Sequence, residues 1–344
     1  MLTSTEIKQW QEALQESKNP LFFYDDDPDG LCSFILLYKM HREGHGVMVK
    51  SAPKVDMKFM HRVEENNPDI IFVLDMPMLE QEFVDGAKRT IYWLDHHQVQ
   101  EIRNVKYFNP HLKDPECYIP ATRMAYQISD NEEDLWIAMV GCLGDWYMPD
   151  FMDKFIEKYP DLMDGEKNLF NAVYKQPIGK LVRMFSFLLK GQTSEVNKSV
   201  KILTRVKSPY EILNQETSQA RFLYKRFEKI DKDYNKILEL AKKEAGRGKL
   251  FLFNYQDDKL SFTSELANEL TSLYPDKVIL ISRKKSGEMK CSLRCQKPIA
   301  DALAKALVGI SGYGGGHPNA CGAVIKEEDW EKFLEQFRKE IKGI

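Results

Sequence analysis

The sequence predicts an α/β protein: a parallel-sheet first domain, a helical connector and a smaller α/β C-terminal domain. Three observations point there. Over the first 110 residues, short and nearly all-apolar runs alternate with helical patterns, as expected of strands buried on both faces of a parallel sheet. From about residue 121 to 245 the periodicity is helical. After residue 249, strand patterns return. The expected domains are residues 1–190, the connector 191–248 and residues 249–344, in keeping with roughly 100–200 residues per domain.

Taken in order, LFFYD (21–25), VMVKSA (47–52), IIFVLD (70–75), TIYWLD (90–95) and VKYFN (105–109) read as strands. Residues 33–44 and 57–68 read as helices, the second stopped by Asn66-Asn67-Pro68. Amphipathic helical stretches follow at 134–146, 180–190 and 218–246, the last closed by Ala245-Gly246-Arg247-Gly248. Strands are expected again at 249–255, 277–284 and 289–295, with helices after Ser264 and Pro298.

Composition narrows the class. With 43% hydrophobic and 29% charged residues, the chain reads as soluble and globular rather than disordered. No apolar run approaches the ~20 residues of a membrane span, which argues against membrane attachment. The polar, amphipathic N-terminus lacks the apolar centre of a secretion signal. Six scattered cysteines form no disulfide framework, so a reducing, cytoplasmic setting is expected. The net charge of −3 conceals an asymmetry: residues 1–172 carry −14, residues 173–249 carry +10 and the remainder +1. Carboxylates that hold cations and a basic segment that meets a polyanion would divide the chain this way. Lys225, Arg226, Lys229, Lys232 and Lys236 recur at helical spacing and would form a basic stripe.

The chemistry concentrates where the first strands end. Residues 21–24 run into Asp25-Asp26-Asp27-Pro28-Asp29-Gly30, and open parallel sheets bind ligands outside the carboxyl ends of their strands. Four carboxylates within five residues repel one another unless cations neutralise them. In an extended segment Asp25, Asp27 and Asp29 would converge on one side, with Gly30 permitting a tight turn. The pattern recurs: residues 70–74 end in Asp75, residues 90–94 end in Asp95-His96-His97, and Asp145 closes an apolar helical stretch. Carboxylates and imidazoles presented together suit a divalent ion, with Mn²⁺ a natural compromise between Mg²⁺ and softer metals. In the last third, the glycines of Gly314-Gly315-Gly316-His317 would let backbone amides approach an anion in a loop. Arg294 offers a bidentate phosphate contact.

As a set, Asp25-x-Asp27-x-Asp29-Gly30, Asp75, Asp95-His96-His97 and Asp145 resemble, in order and spacing, the four motifs of the DHH phosphoesterase family. The stretch SGYGGGHPNACGAVI (311–325) is similar to the glycine-rich signature of the DHH-associated C-terminal domain, and CSLRC (291–295) to its arginine-bearing strand. Many members begin the first motif with His. Asp25 in that position is similar to the RecJ-like exonuclease branch.

The resemblance implies a centre of two divalent ions, Mn²⁺ or else Mg²⁺. Asp27 and Asp75, with Asp25 adjacent, would hold one ion. Asp29, Asp75, His96 and Asp145 would hold the other. His97 would face the scissile phosphate and Asp95 would orient the histidines. Arg294, Gly314, Gly315, Gly316 and His317 would bind the substrate. The implied activity is metal-dependent hydrolysis of phosphodiester bonds in single-stranded DNA or RNA, or in short oligonucleotides. Two alternatives stay open: a cyclic-dinucleotide or nanoRNA phosphodiesterase, and a non-catalytic scaffold with a protein partner in replication or repair. A scaffold has no need of metal ligands, and every one expected is present here except for the change from His to Asp at Asp25, which RecJ-like members share.

Overall fold

The computed structural model describes residues 1–50, 54–256 and 260–344. The chain forms two compact units, residues 1–227 and 228–344. In the first, elements run α1 (Ser4–Glu16), β1 (Leu21–Asp25), α2 (Pro28–His41), β2 (His45–Val49), β3 (Lys54–Val55), α3 (Met60–Asn66) and β4 (Ile70–Leu74). Next come β5 (Met78–Leu79), α4 (Gln81–Ala87), β6 (Thr90–Leu94) and β7 (Lys106–Phe108). Helices follow: α5 (Ala121–Ser129), α6 (Leu135–Gly144), α7 (Met152–Lys158), α8 (Leu169–Tyr174), α9 (Ile178–Leu188), α10 (Thr193–Leu203) and α11 (Pro209–Leu213). The long α12 (Ser218–Lys243) carries the division between the units. That division falls inside the segment expected as a connector, and α10 and α11 belong to the first unit.

The main sheet of the first unit is parallel, in the order β2-β1-β4-β6-β7. The connection leaving β1 runs to β2 on one side, whereas the connections leaving β4 and β6 run to β6 and β7 on the other. The carboxyl ends of β1 and β4 therefore flank a topological switch point, where such sheets open a crevice. Both faces are covered, which accounts for the all-apolar strands. On one, Phe23, Val73 and Trp93 pack with Phe83 and Val84 of α4. On the other, Trp10 of α1 lies 5.3–5.5 Å from the rings of Phe72, Tyr92 and Phe108.

The second unit continues with β8 (Leu250–Tyr255), α13 (Thr263–Leu273), β9 (Val278–Lys285), β10 (Glu288–Arg294), α14 (Ala300–Ala306), β11 (Gly312–His317), β12 (Ala320–Lys326) and α15 (Trp330–Glu340). Its sheet order is β11-β12-β10-β9-β8, antiparallel except for the β8–β9 pair. Leu280, Leu293, Ile325, Phe333 and Phe337 form the core on the face covered by α14 and α15. Helix α13 packs on the opposite face, against β9 and β10.

Three expectations need correction. The helix expected at 33–44 begins at Pro28, because Pro at the first helical position and Asp27 as N-cap form a strong start signal. The glycine-rich segment is no loop: Gly312–His317 pairs residue for residue with Ala320–Ile325 as an edge strand. The strand expected at 47–52 runs from His45 to Val49, and its last positions, 51 and 52, lie outside the described residues. Among the described residues, no helix is long and apolar enough to cross a membrane.

Candidate metal centre

The aspartates of the first motif converge by a route other than strand alternation. Asp25 ends β1, Asp27 caps α2 by accepting the Gly30 amide at 2.9 Å, and Asp29 lies in the first helical turn. Gly30 is required for this close approach, since a Cβ there would stand 2.7 Å from the Asp25 nitrogen and 2.8 Å from its oxygen. Asp29 is fully buried. Its carboxylate accepts the backbone amides of Ala121 (2.9 Å) and Thr122 (2.6 Å), the exposed donors at the start of α5. That start carries no cap from its own side chains.

Asp75 follows β4 in the left-handed region, with φ of 56°. Its amide donates to Leu94 O at 2.8 Å, and Trp93 Nε1 donates to Met76 O at 3.1 Å, which together hold the turn. Such a conformation in a non-glycine residue persists only where its surroundings impose it, and it is enriched at functional sites. Both Asp75 carboxylate oxygens are buried and neither accepts a hydrogen bond. A buried carboxylate without donors is costly unless a cation neutralises it.

His96 Nε2 lies 3.1 Å from Asp75 Oδ1, 3.7 Å from Asp29 Oδ2 and 3.7 Å from Asp145 Oδ2. Asp145 reaches the group from the end of α6, which Gly144 brings close to α2: a Cβ on Gly144 would stand 2.6 Å from Pro28 Cβ. Three donor groups result, each with ligand atoms within 4.8 Å of one another: Asp25–Asp27–Asp75, Asp29–His96–Asp145 and Asp75–His96–His97. All six expected metal ligands are thus brought together, and Asp75 belongs to two of the groups.

Asp95 plays a different part. It is fully buried and accepts from the His97 amide (3.1 Å), His97 Nδ1 (2.7 Å) and Asn109 Nδ2 (3.2 Å). It hydrogen-bonds to His97, while His96 faces the aspartates. Because Asp95 holds the Nδ1–H of His97, Nε2 is the ring nitrogen suited to meeting a substrate. Sequence inspection missed four donors here: Asn109, the amides of Ala121 and Thr122 in α5, and Tyr118, whose hydroxyl donates to Asp145 Oδ2 at 2.5 Å. The Asn109-Pro110 dipeptide was the one visible signal, since Asn before Pro favours a turn.

The charges fit a site tuned for cations. Burial pushes Asp25 and Asp75 well above the usual carboxylate range, and neighbouring aspartates push further. Burial and Asp29 raise Asp27. Burial lifts Asp145 to about 8 although His96 opposes it. Burial alone would lower His96, but Asp145, Asp29 and their neighbours outweigh it and raise its pKa. Carboxylates that would rather hold protons than face one another suit divalent ions, which displace those protons.

The DHH family N-terminal domain matches residues 21–143, and the DHHA1 domain matches residues 256–343. The chain is a DHH-family protein. It has the DHH phosphoesterase fold, and the matched DHH segment carries every member of the donor groups just described except Asp145, which lies two residues beyond it. RecJ in complex with Mn²⁺ from Thermus thermophilus is similar in structure, with a TM-score of 0.69 and 15% identity, over 97% of this chain and 53% of that one. The chain thus spans about half the length of that RecJ. The exonuclease RecJ bound to manganese matches with a TM-score of 0.64 and 14% identity, over 98% of this chain and 94% of that one. CDC45 from Entamoeba histolytica gives 0.50 and 11%, over 98% of each chain. No curated protein matches in sequence.

The DHHA1 domain has its own candidate surface. Because Cys321, Ala323 and Ile325 of β12 face the core, strand alternation places Ala320, Gly322 and Val324 on the other face. Their register partners Tyr313, Gly315 and His317 share that face, as do Ser292 and Arg294 of β10. Gly314 and Gly316 are needed for packing: a Cβ would stand 2.8 Å from Gly322 O in the first case and 2.5 Å from Ala320 O in the second. Gly315 is not, since a Cβ there would meet nothing within 4 Å. Arg294 is held by Asn268 Oδ1, which accepts from its Nε at 2.6 Å, and by the carbonyls of Leu293 and Cys321. Tyr313, 71% exposed, was overlooked in the sequence.

Of the basic stripe, Lys225, Lys229, Lys232 and Lys236 are exposed on α12. Arg226 is not part of it. It is half-buried and donates to the carbonyls of Leu188 and Lys190 at the end of α9, where the last carbonyls lack partners within the helix.

Proposed function

We propose that the protein is a metal-dependent phosphodiesterase that hydrolyses single-stranded nucleic acid or short oligonucleotides from an end. The observation that carries this reading is Asp75: a buried aspartate with φ of 56° whose oxygens accept no hydrogen bond, shared by the Asp25–Asp27–Asp75 and Asp75–His96–His97 donor groups in a DHH domain. Asp25, Asp27 and Asp75 would hold one divalent ion and Asp29, Asp75, His96 and Asp145 the other, with Mn²⁺ preferred. Bound there, the ions would supply a hydroxide at neutral pH and neutralise charge on the phosphoryl group. His97 would use Nε2 to hydrogen-bond the phosphate or protonate the leaving oxygen, with Asp95 fixing its ring. Arg294 and His317 would bind phosphate, Gly315 would leave room for the backbone of the substrate, and Tyr313 would offer a base a stacking face.

The Mn²⁺-bound RecJ structures support the choice of metal, and the exposed lysines of α12 support a polyanionic substrate. Digestion of end-labelled single-stranded DNA and RNA ladders with Mn²⁺ tests the reading. Stepwise shortening from one end is expected. Intact ladders at every length, with metal bound, would overturn it.

A further inference from the structure

Within the Asp29–His96–Asp145 group, Asp145 differs from its two partners. Asp29, Asp75 and His96 have side chains only 0–3% exposed, while that of Asp145 is 22% exposed. It hangs from the C-terminal end of a helix, and the next residue, Trp146, turns the chain away with φ of 56°. A carboxylate so placed needs something to hold its rotamer before it can serve a metal. The Tyr118 hydroxyl lies 2.5 Å from Asp145 Oδ2 and 2.9 Å from its carbonyl oxygen. The same phenol ring stands edge-on to His96, with centroids 5.3 Å apart and planes at 68°. Tyr118 therefore touches two of the three members of the Asp29–His96–Asp145 group. Asp25 and Asp27 are placed instead by the β1–α2 junction.

We propose that Tyr118 is a positioning residue for one metal subsite: its hydroxyl fixes Asp145 and its ring fixes His96. It thereby sets the affinity of the Asp29–His96–Asp145 subsite and not that of the Asp25–Asp27–Asp75 subsite. The inference rests on the metal-centre reading above. The chemistry permits both contacts, because an ionised carboxylate has about four acceptor sites and the phenol occupies one. Partners that orient a ligand from behind typically contribute 10- to 100-fold in metal affinity.

The test is Mn²⁺ binding to the full chain, measured by calorimetry and by the electron paramagnetic resonance of free Mn²⁺. Wild type, Tyr118→Phe and Asp27→Asn are compared, with a thermal melt of each metal-free protein. Tyr118→Phe removes only the hydroxyl. It should weaken one class of Mn²⁺ site by about 10- to 100-fold and leave the other unchanged, with a metal-free melt like the wild type's. Asp27→Asn should weaken the class that Tyr118→Phe spares. Tyr118→Phe isotherms identical to wild type, equal weakening of both classes, or a lowered metal-free melt would each overturn the inference alone. A wild-type chain that takes up no Mn²⁺ would overturn the metal-centre reading itself, before any variant is considered.

Discussion

Replacing Asp75 with Asn should make the metal-free protein more stable while removing its response to metal. Without ions, Asp25, Asp27, Asp75 and Asp145 all have pKa values above their ordinary range, Asp145 at about 8. In the unfolded chain an aspartate titrates near ~3.9. Between those values the native state keeps protons that the unfolded state has released. Stability of the metal-free protein is therefore greatest at acid pH and falls as pH rises from about 4 towards 8, by about 1.4 kcal/mol per pH unit for each retained proton. Asn at position 75 removes one such group and relieves its neighbours. It also tolerates the φ of 56°, where Ala would be strained. Urea denaturation in EDTA from pH 5 to 8 should show a shallower pH slope for the variant, by up to about 1.4 kcal/mol per pH unit. Mn²⁺ at 100 times its Kd should stabilise the wild type by about 2.7 kcal/mol. For a unit of 227 residues that is about 5–11 °C in Tm, and the variant should show far less. A variant less stable than wild type in EDTA at pH 8, with its Mn²⁺ shift retained, would refute the reasoning.

Other expectations follow from the same geometry. Arg294→Ala should lower kcat/KM on a dinucleotide by about 10- to 150-fold, as loss of a charge-assisted phosphate contact predicts, while an aryl phosphate is turned over unchanged; equal losses on both would count against a substrate role. Gly315→Ala should leave the thermal melt unaltered and weaken oligonucleotide binding, whereas Gly316→Ala, at φ of 139°, should lower the melt. Tyr313→Ala should weaken binding of a base-bearing dinucleotide by about 5- to 150-fold and spare its abasic analogue. Changing Lys225, Lys229 and Lys232 to Gln should flatten the salt dependence of long-strand binding by up to roughly 2 units in the log–log slope; an unaltered slope would mark the stripe as a solvated helix face.

The positions of the key carboxylates were legible because parallel strands are apolar until they end, so Asp75 and Asp95 stand out where the pattern breaks. The local geometry was less so. Asp27-Pro28 is a helix start in the sequence itself, and reading it as extended chain put Asp29 in the site by the wrong route. The glycines near His317 suggested a loop, although a strand packed closely on β12 makes the same demand at Gly314 and Gly316. Helical spacing grouped Arg226 with the exposed lysines, but the carbonyls that turn it inward lie at the end of α9 and just beyond it, 36 to 38 residues away. Tyr118 and Asn109 act through partners 14 to 27 residues distant. Periodicity has no means of pairing such residues.

The central claim is that the clustered carboxylates serve hydrolysis by holding two ions. Its most direct test is turnover of an end-labelled single-stranded oligonucleotide measured against Mn²⁺ bound per chain, by equilibrium dialysis across a range of free Mn²⁺. Hydrolysis should be absent without metal, rise steeply only as the second ion binds, and stay absent in Asp75→Asn at every Mn²⁺ concentration. Full turnover with one ion bound, or turnover retained in Asp75→Asn, would contradict it.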